Sequence, residues 1–315
     1  MKPNKYLVYA VRNFWLWFWR KLMDGFAPSD KNGNYKRPKG LEIDNNFKIN
    51  LYKNEPIYLL ISTTCPWCHR ALIVTKLRNL SKIKIIFLKP NFKNGEWIFN
   101  NNFYGNKTLT DIYNKYNNEK IWRATVPVLL KETNKKLEII SNESSEIIKL
   151  LSSKDKQEQE KLFEFRCEQK ILNNIHEYIN NGVYKCGFAR NQESYRKAST
   201  KLFRNLKEID KLIQKSDGPW IFGNKITYAD IYLFPTLIRW ELIYSKLFKC
   251  TEKELSEYTN ILEWRYEFFH LKGIKETCYE NNWIEDYYLG LFPLNPNQII
   301  PVQPKLKEIL NRKII

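Results

Sequence analysis

Residues 65–68 read Cys-Pro-Trp-Cys, and the segments on either side leave few folds that can carry them. Residues 57–62, Ile-Tyr-Leu-Leu-Ile-Ser, are short, apolar and rich in strand formers, so they predict a buried strand. That run ends at Thr63-Thr64-Cys65-Pro66, where Pro66 suits the first turn of a helix because its missing N–H would have no partner there. Helical spacing continues through 71–80, and 83–88 (Ile-Lys-Ile-Ile-Phe-Leu) predicts a second buried strand. The cysteine pair therefore sits where the first strand of a β-α-β unit gives way to its helix.

Residues 89–124 read as an irregular polar insertion. Residues 126–130 and 137–140 then flank a polar turn at 131–136 and predict a hairpin, followed by a helix over 144–151. This β-α-β, then β-β-α order is that of a thioredoxin-like domain. Beyond Ser152 strand signals vanish, and helical patterns run over 156–180, 192–215 and 228–248. The expected class is an α/β thioredoxin-like N-terminal domain plus an all-α C-terminal domain. We expect an N-terminal extension packing on the body over 1–50, the thioredoxin-like domain over 51–155 and the helical domain with its tail over 156–315. In the last of these, Thr227-Tyr228-Ala229-Asp230 has the spacing of a helix cap ahead of an apolar run, a structural feature.

In the extension, Trp15, Trp17, Phe18 and Trp19 mix with Arg12 and Arg20, which suits an interfacial anchor or a helix packed on the body. Packing is the expectation, since the apolar stretch looks only a couple of turns long. Residues 26–41 have turn composition and read as a surface leader. No run approaches the ~18 apolar residues of a membrane span. The net charge of +18 would attract polyanions, but the lysines are dispersed and no nucleic-acid motif gathers them, so no nucleic-acid partner is expected. Six cysteines in 315 residues are too sparse for a disulfide scaffold, and no signal peptide is recognised. A reducing, cytoplasmic setting is expected.

In that context a C-x-x-C reads as redox chemistry ahead of zinc, because zinc would need two more matched ligands and the three histidines and remaining cysteines are scattered. No metal is expected. The free amides and dipole of a helix N-terminus favour an anion, so Cys65 is the expected nucleophilic thiolate. Cys68, one turn on, either resolves a mixed disulfide or is a buried small side chain. His69 and Arg70 add potential near the thiolate or fill structural roles. A proline after Val126 is readily cis, turning the Val126 backbone toward a ligand. Glu143 and Ser144 open the next helix, where they can hold an α-amino-acid group or simply cap the helix.

These residues resemble the glutathione transferase superfamily, and more narrowly its Xi class, the glutathionyl-hydroquinone reductases. The resemblance rests on Cys65-Pro66-Trp67 with His69-Arg70, Thr125-Val126-Pro127-Val128-Leu129, and Asn142-Glu143-Ser144-Ser145-Glu146-Ile147. It extends through Asn181-Gly182-Val183-Tyr184-Lys185, Gly187-Phe188-Ala189 and Phe248-Lys249-Cys250. It implies glutathione as cosubstrate, held by Trp97, Arg123, Val126, Glu143 and Ser144. It also implies a glutathionyl-quinol conjugate in a pocket lined by Tyr184 and a tyrosine near the C-terminus, for which Tyr287 of the Tyr287-Tyr288 pair is chosen, and a homodimer. The family motif usually reads Cys-Pro-Trp-Ala, so Cys68 is a departure that opens a dithiol alternative resembling glutaredoxin. A third alternative is a non-catalytic binding protein with an inert Cys65. Arg239-Trp240-Glu241 stands where the family resembles Arg-Phe-Asp.

Overall fold

The computed structural model describes residues 4–38, 55–116, 123–152 and 169–311. Five of its elements form the predicted frame around the cysteines. They are β1 (Ile57–Ile61), α1 (Pro66–Leu77), β2 (Ile83–Pro90) and the hairpin of β3 (Val128–Thr133) and β4 (Lys136–Ser141). Strand β1 is buried along its whole length, pairs parallel with β2 and antiparallel with β3, and so lies in the middle of the sheet. A central strand buried on both faces is why 57–62 reads as a continuous apolar run.

The hairpin turn is tighter than expected. Strands β3 and β4 extend to Thr133 and Lys136, leaving Asn134 and Lys135, both at positive φ (51° and 63°), as the whole loop. Such a two-residue turn matches the right-handed twist of the strands it joins. Lys131, Glu132 and Thr133 look like loop residues only because that end of the hairpin is partly exposed.

Over 89–116 the stretch is not irregular, which corrects the expectation. It contributes two further strands, Trp97–Phe103 and Asn106–Thr108, and a helix, Leu109–Tyr116. These strands extend the sheet beyond β2, with Leu88 opposite Phe99 and Pro90 opposite Trp97. Their composition is polar because only Phe99 and Phe103 reach the core, where their rings stack at 5.3 Å and Tyr58 meets Phe103 edge-on. A helix over Ser144–Ser152 follows the hairpin as predicted. Residues 117–122 and 153–168, which include Cys167 and the start of the helix expected over 156–180, lie outside the described residues.

The described residues from 169 to 311 are mainly helical. Residues 169–187 form one helical rod whose middle, Ile175–Asn180, is wound as π-helix, and Gln192–Gln214 and Tyr228–Leu237 follow as expected. The pattern expected over 228–248 breaks after Leu237 into a second π-helical turn, Trp240–Tyr244. Helices Thr259–His270, Glu280–Gly290 and Leu306–Leu310 complete the chain. The Tyr228–Leu237 helix packs directly on α1, joining the helical part to the cysteine helix.

The N-terminal extension departs most from expectation. Residues Lys5–Phe26 form one helix of 22 residues, and among them only Met23 is buried. Its last turns attach to the body, where Trp19 Nε1 donates to the Pro293 carbonyl at 2.9 Å and Arg190 reaches Asp24. The rest projects, because its apolar residues find no partner surface among the described residues.

Candidate functional site

Cys65 occupies the N-cap of α1 with extended backbone (φ −71°, ψ 119°), and Pro66 opens the helix behind it. Its Sγ is half-buried and lies 3.7 Å from the Val126 carbonyl. The Val126–Pro127 peptide is cis. Burial alone would push the Cys65 thiol up. Hydrogen bonds from the Cys68 thiol and Cys68 N–H, the Arg37 charge and the Trp67 N–H outweigh it and bring the pKa down to about 7. A sizeable thiolate fraction near neutrality is the direct consequence.

Cys68 behaves oppositely. It is fully buried, it accepts a weak hydrogen bond from the Ser62 N–H at 3.5 Å, and burial with the neighbouring Cys65 sulfur pushes its pKa well above the usual thiol range. It keeps its proton and donates it to the Cys65 thiolate.

The loops around Cys65 are tied down from several directions. Tyr113, on the helix at Leu109–Tyr116, donates to the Thr125 carbonyl at 3.0 Å and accepts from Asn142 Nδ2 at 2.9 Å. One phenol thus fixes the Val126 loop against the Glu143–Ser144 turn. Ser144 is the buried first residue of its helix, and Glu143 beside it is half-buried. Arg70 is fully buried, donates to Ser144 Oγ at 3.3 Å and Asn180 Oδ1 at 2.6 Å, and lies over the Tyr232 ring at 3.8 Å. Burial holds it down at about 10, offset partly by Tyr232 and by Glu143. It remains a cation at neutral pH, supporting this turn from behind.

His69 is no part of the thiolate's surroundings. Arg239 Nη1 donates to its Nδ1 at 2.9 Å, so Nε2 carries the hydrogen donated to Thr277 Oγ1 at 2.8 Å. Burial and the Arg239 charge depress its pKa well below the usual value, so the ring stays neutral.

Close enough for the Cys65 charge to act on Tyr244 stands a cluster of phenols. Tyr184 Oη and Tyr287 Oη are 2.6 Å apart, Tyr244 Oη is 3.1 Å from Tyr287, and Tyr184 and Tyr244 are 3.5 Å apart. Burial pushes all three pKa values up, so the hydroxyls stay protonated. The neighbouring Tyr288 instead donates to the Leu242 carbonyl at 3.2 Å, turned away from the cluster. The helix bearing Tyr287 is pinned to the cysteine loop. Trp283 Nε1 donates to the Thr63 carbonyl at 2.9 Å, Asp286 accepts from Thr64, and Arg239 Nη2 reaches the same Thr63 carbonyl.

Trp97 and Arg123 stand apart from this group. Trp97 is half-buried on a strand separated from β1 by β2, and Arg123 is exposed, donating to the Phe26 carbonyl at 3.4 Å. Neither makes a hydrogen bond or ion pair to Cys65, Val126, Glu143 or Ser144 among the described residues.

Two contributors escaped the sequence reading. Arg37, in what reads as a surface leader, places its guanidinium 3.7 Å over the Trp67 ring and lowers the Cys65 pKa. Tyr244 joins the phenols from a π-helical turn, a distortion that often marks functional positions but has no reliable sequence signature. A cavity of ≈ 670 Å³ opens between the leader and the helical part, lined by Tyr35, Arg37, Glu143, His176 and Asn181 among others. It brings Arg37 and Glu143 to one space.

Family comparisons agree with this architecture. The glutathione S-transferase N-terminal domain matches residues 64–154, and the C-terminal domain of the same family matches 192–265. The glutathionyl-hydroquinone reductase YqjG of Escherichia coli is 32% identical over 78% of this chain and 79% of its own length. Its glutathione-bound structure superposes with a TM-score of 0.73, covering 83% of this chain and 89% of that one. The glutathionyl-hydroquinone reductase PcpF of Sphingobium chlorophenolicum is 30% identical over 80% of this chain and 85% of its own. The glutathione-S-transferase Xi from Phanerochaete chrysosporium, 28% identical, reaches a TM-score of 0.76 over 85% of this chain and 97% of that one. With a thioredoxin-like sheet joined to a helical domain, and both family domains matched in order, the chain belongs to the glutathione transferases, in the Xi class of glutathionyl-hydroquinone reductases.

Proposed function

We propose that this enzyme reduces glutathionyl-hydroquinones to hydroquinones through a mixed disulfide on Cys65. The observation that carries the reading is the Cys65 thiol, brought to about 7 at a helix N-terminus, in a loop pinned to the helix that carries Tyr287. The thiolate attacks the glutathione sulfur of the conjugate. The aryl C–S bond breaks, its electron pair goes to the ring carbon, and that carbon takes a proton, releasing hydroquinone. Cys65 is left bonded to glutathione. A second glutathione thiolate then attacks the glutathione sulfur of that disulfide, restoring the Cys65 thiolate and releasing glutathione disulfide.

Tyr184 and Tyr287, with Tyr244, orient the quinol oxygens and supply the proton. Their raised pKa values keep the hydroxyls protonated ahead of the step, and the one that gives up its proton regains it from the second glutathione thiol as that thiol ionises. Glutathione's amino-acid end lies at Glu143 and Ser144, where a carboxylate and the first amides of a helix suit an α-ammonium and an α-carboxylate together. The Val126 backbone pairs with the cysteinyl unit. Trp97 and Arg123 take part only where glutathione extends beyond this group to reach them, Arg123 as a partner for a carboxylate.

The dithiol route is disfavoured by the state of Cys68. A buried thiol pushed well above its usual pKa is a poor attacking group, and donating to Cys65 suits it better. Reduction of synthetic glutathionyl-menadiol by the wild type, Cys65→Ser and Cys68→Ser tests both points. Loss of turnover in the first variant and its retention in the second are expected. Equal rates for wild type and Cys65→Ser would end the proposal.

A further inference from the structure

The helix Lys5–Phe26 exposes more apolar surface than a helix alone in water can justify. Tyr6 is 71% exposed, Phe14 64%, Val11 58% and Trp17 57%, and Leu7, Val8, Tyr9, Trp15, Leu16 and Phe18 are all exposed with them. Successive residues turn by 100°. On that wheel Trp17, Phe14, Leu7, Phe18, Val11, Trp15 and Val8 form one continuous arc, which Lys21 enters only near the body. Lys5, Arg12, Asn13 and Arg20 fall on the opposite side, with Tyr6, Tyr9 and Leu16 among them. Rings within the arc already associate, Phe14 lying 6.2 Å from Trp17 and 6.4 Å from Phe18.

We propose that this helix docks the enzyme onto an anionic lipid surface, lying in the plane of the interface with the arc buried. Three observations select a bilayer over a second copy of the chain. The arc covers about 180° of the helix, more than a two-helix seam would bury and about what an interfacial helix immerses. Charge is complementary: the helix carries Lys5, Arg12, Arg20 and Lys21 against a single acid, Asp24, which Arg190 already pairs, on a chain of net charge +18. Its large residues are dominated by tryptophan, tyrosine and phenylalanine, whose rings suit the headgroup boundary. Attachment only through the last turns leaves the preceding turns free to lie flat. No helix among the described residues is long and apolar enough to cross a membrane, so the contact is peripheral.

Flotation of the full chain with vesicles of phosphatidylcholine containing about 30% phosphatidylserine tests this, against vesicles of phosphatidylcholine alone. The expected result is binding to the anionic vesicles that weakens as salt is raised. A drop of about tenfold or more in the bound fraction is expected for the double variant Trp15→Glu, Phe18→Glu, with quinol-thioether reduction in solution unchanged. Lys5→Glu combined with Arg12→Glu should weaken binding to anionic vesicles while leaving the arc intact. Failure of the wild type to float, or equal flotation of the Trp15→Glu, Phe18→Glu variant, would overturn the proposal. So would a dimer in sedimentation that this variant dissolves while neither protein floats, since the arc would then be an interface between copies.

Discussion

The hydroxyls of Tyr184 and Tyr287 stand 2.6 Å apart although 103 residues separate them in the chain. Tyr287 is the hub of the phenol cluster, within hydrogen-bond reach of both Tyr184 and Tyr244. The helix that carries it is bonded to the backbone just ahead of Cys65. The phenol cluster and the Cys65 loop are therefore tied together through that helix.

Tyr184→Phe and Tyr287→Phe should each lower kcat for glutathionyl-menadiol reduction by about 100-fold where the missing hydroxyl delivers the proton. The double variant should lose much less than the product of the two, because both act on one step. Steady-state kinetics check this, with the rate of Cys65 alkylation as control. That rate should not change.

The Cys65 pKa of about 7 predicts the pH dependence of the thiol chemistry. Thiolate is the deprotonated form, so reactivity falls as pH drops through that value, by about tenfold from about pH 8 to about pH 6. Iodoacetamide labelling followed by intact mass gives the profile. In Cys68→Ala the midpoint should move upward, since a hydrogen bond to the thiolate has gone. A midpoint unmoved by that change would remove Cys68 from the account.

Arg37→Ala should also raise the midpoint, by removing a nearby cation. The guanidinium is exposed, so salt screens it, and the difference between wild type and variant should shrink as ionic strength rises. Labelling rates at low and high salt measure this.

Asp230 is fully buried and accepts from the Ile221 and Thr227 N–H groups, Thr227 Oγ1 and Trp264 Nε1, at 2.8 to 3.1 Å. Asp230→Ala strands several buried donors at once and should cost about 3 kcal/mol or more of stability. Urea unfolding followed by circular dichroism checks it. Asp230→Asn, which keeps an acceptor, should lose less.

Much of the frame was legible because local rules and burial agree there. Strand β1 is apolar along its length because it lies central in the sheet, and Pro66 opens α1 because the first helical position tolerates it. The strands and helix within 89–124 were illegible for the opposite reason. The strands send only Phe99 and Phe103 into the core, the helix only Leu109, Ile112 and Tyr113, and the strands pair only because of the edge that β2 offers.

By itself the sequence determined that an ionisable cysteine heads a helix after a buried strand, since this needs only a local run of residues and the dipole of the helix they form. Only the tertiary structure decided which groups surround that sulfur. Arg37 from the leader, Tyr244 from a π-helical turn and Tyr287 rather than Tyr288 meet near it because distant elements pack together, and no spacing along the chain encodes where those side chains end. The exposure of the first helix is of the same kind. Its pattern shows an apolar face, but whether that face finds a partner within the fold depends on the surfaces the rest of the chain leaves open.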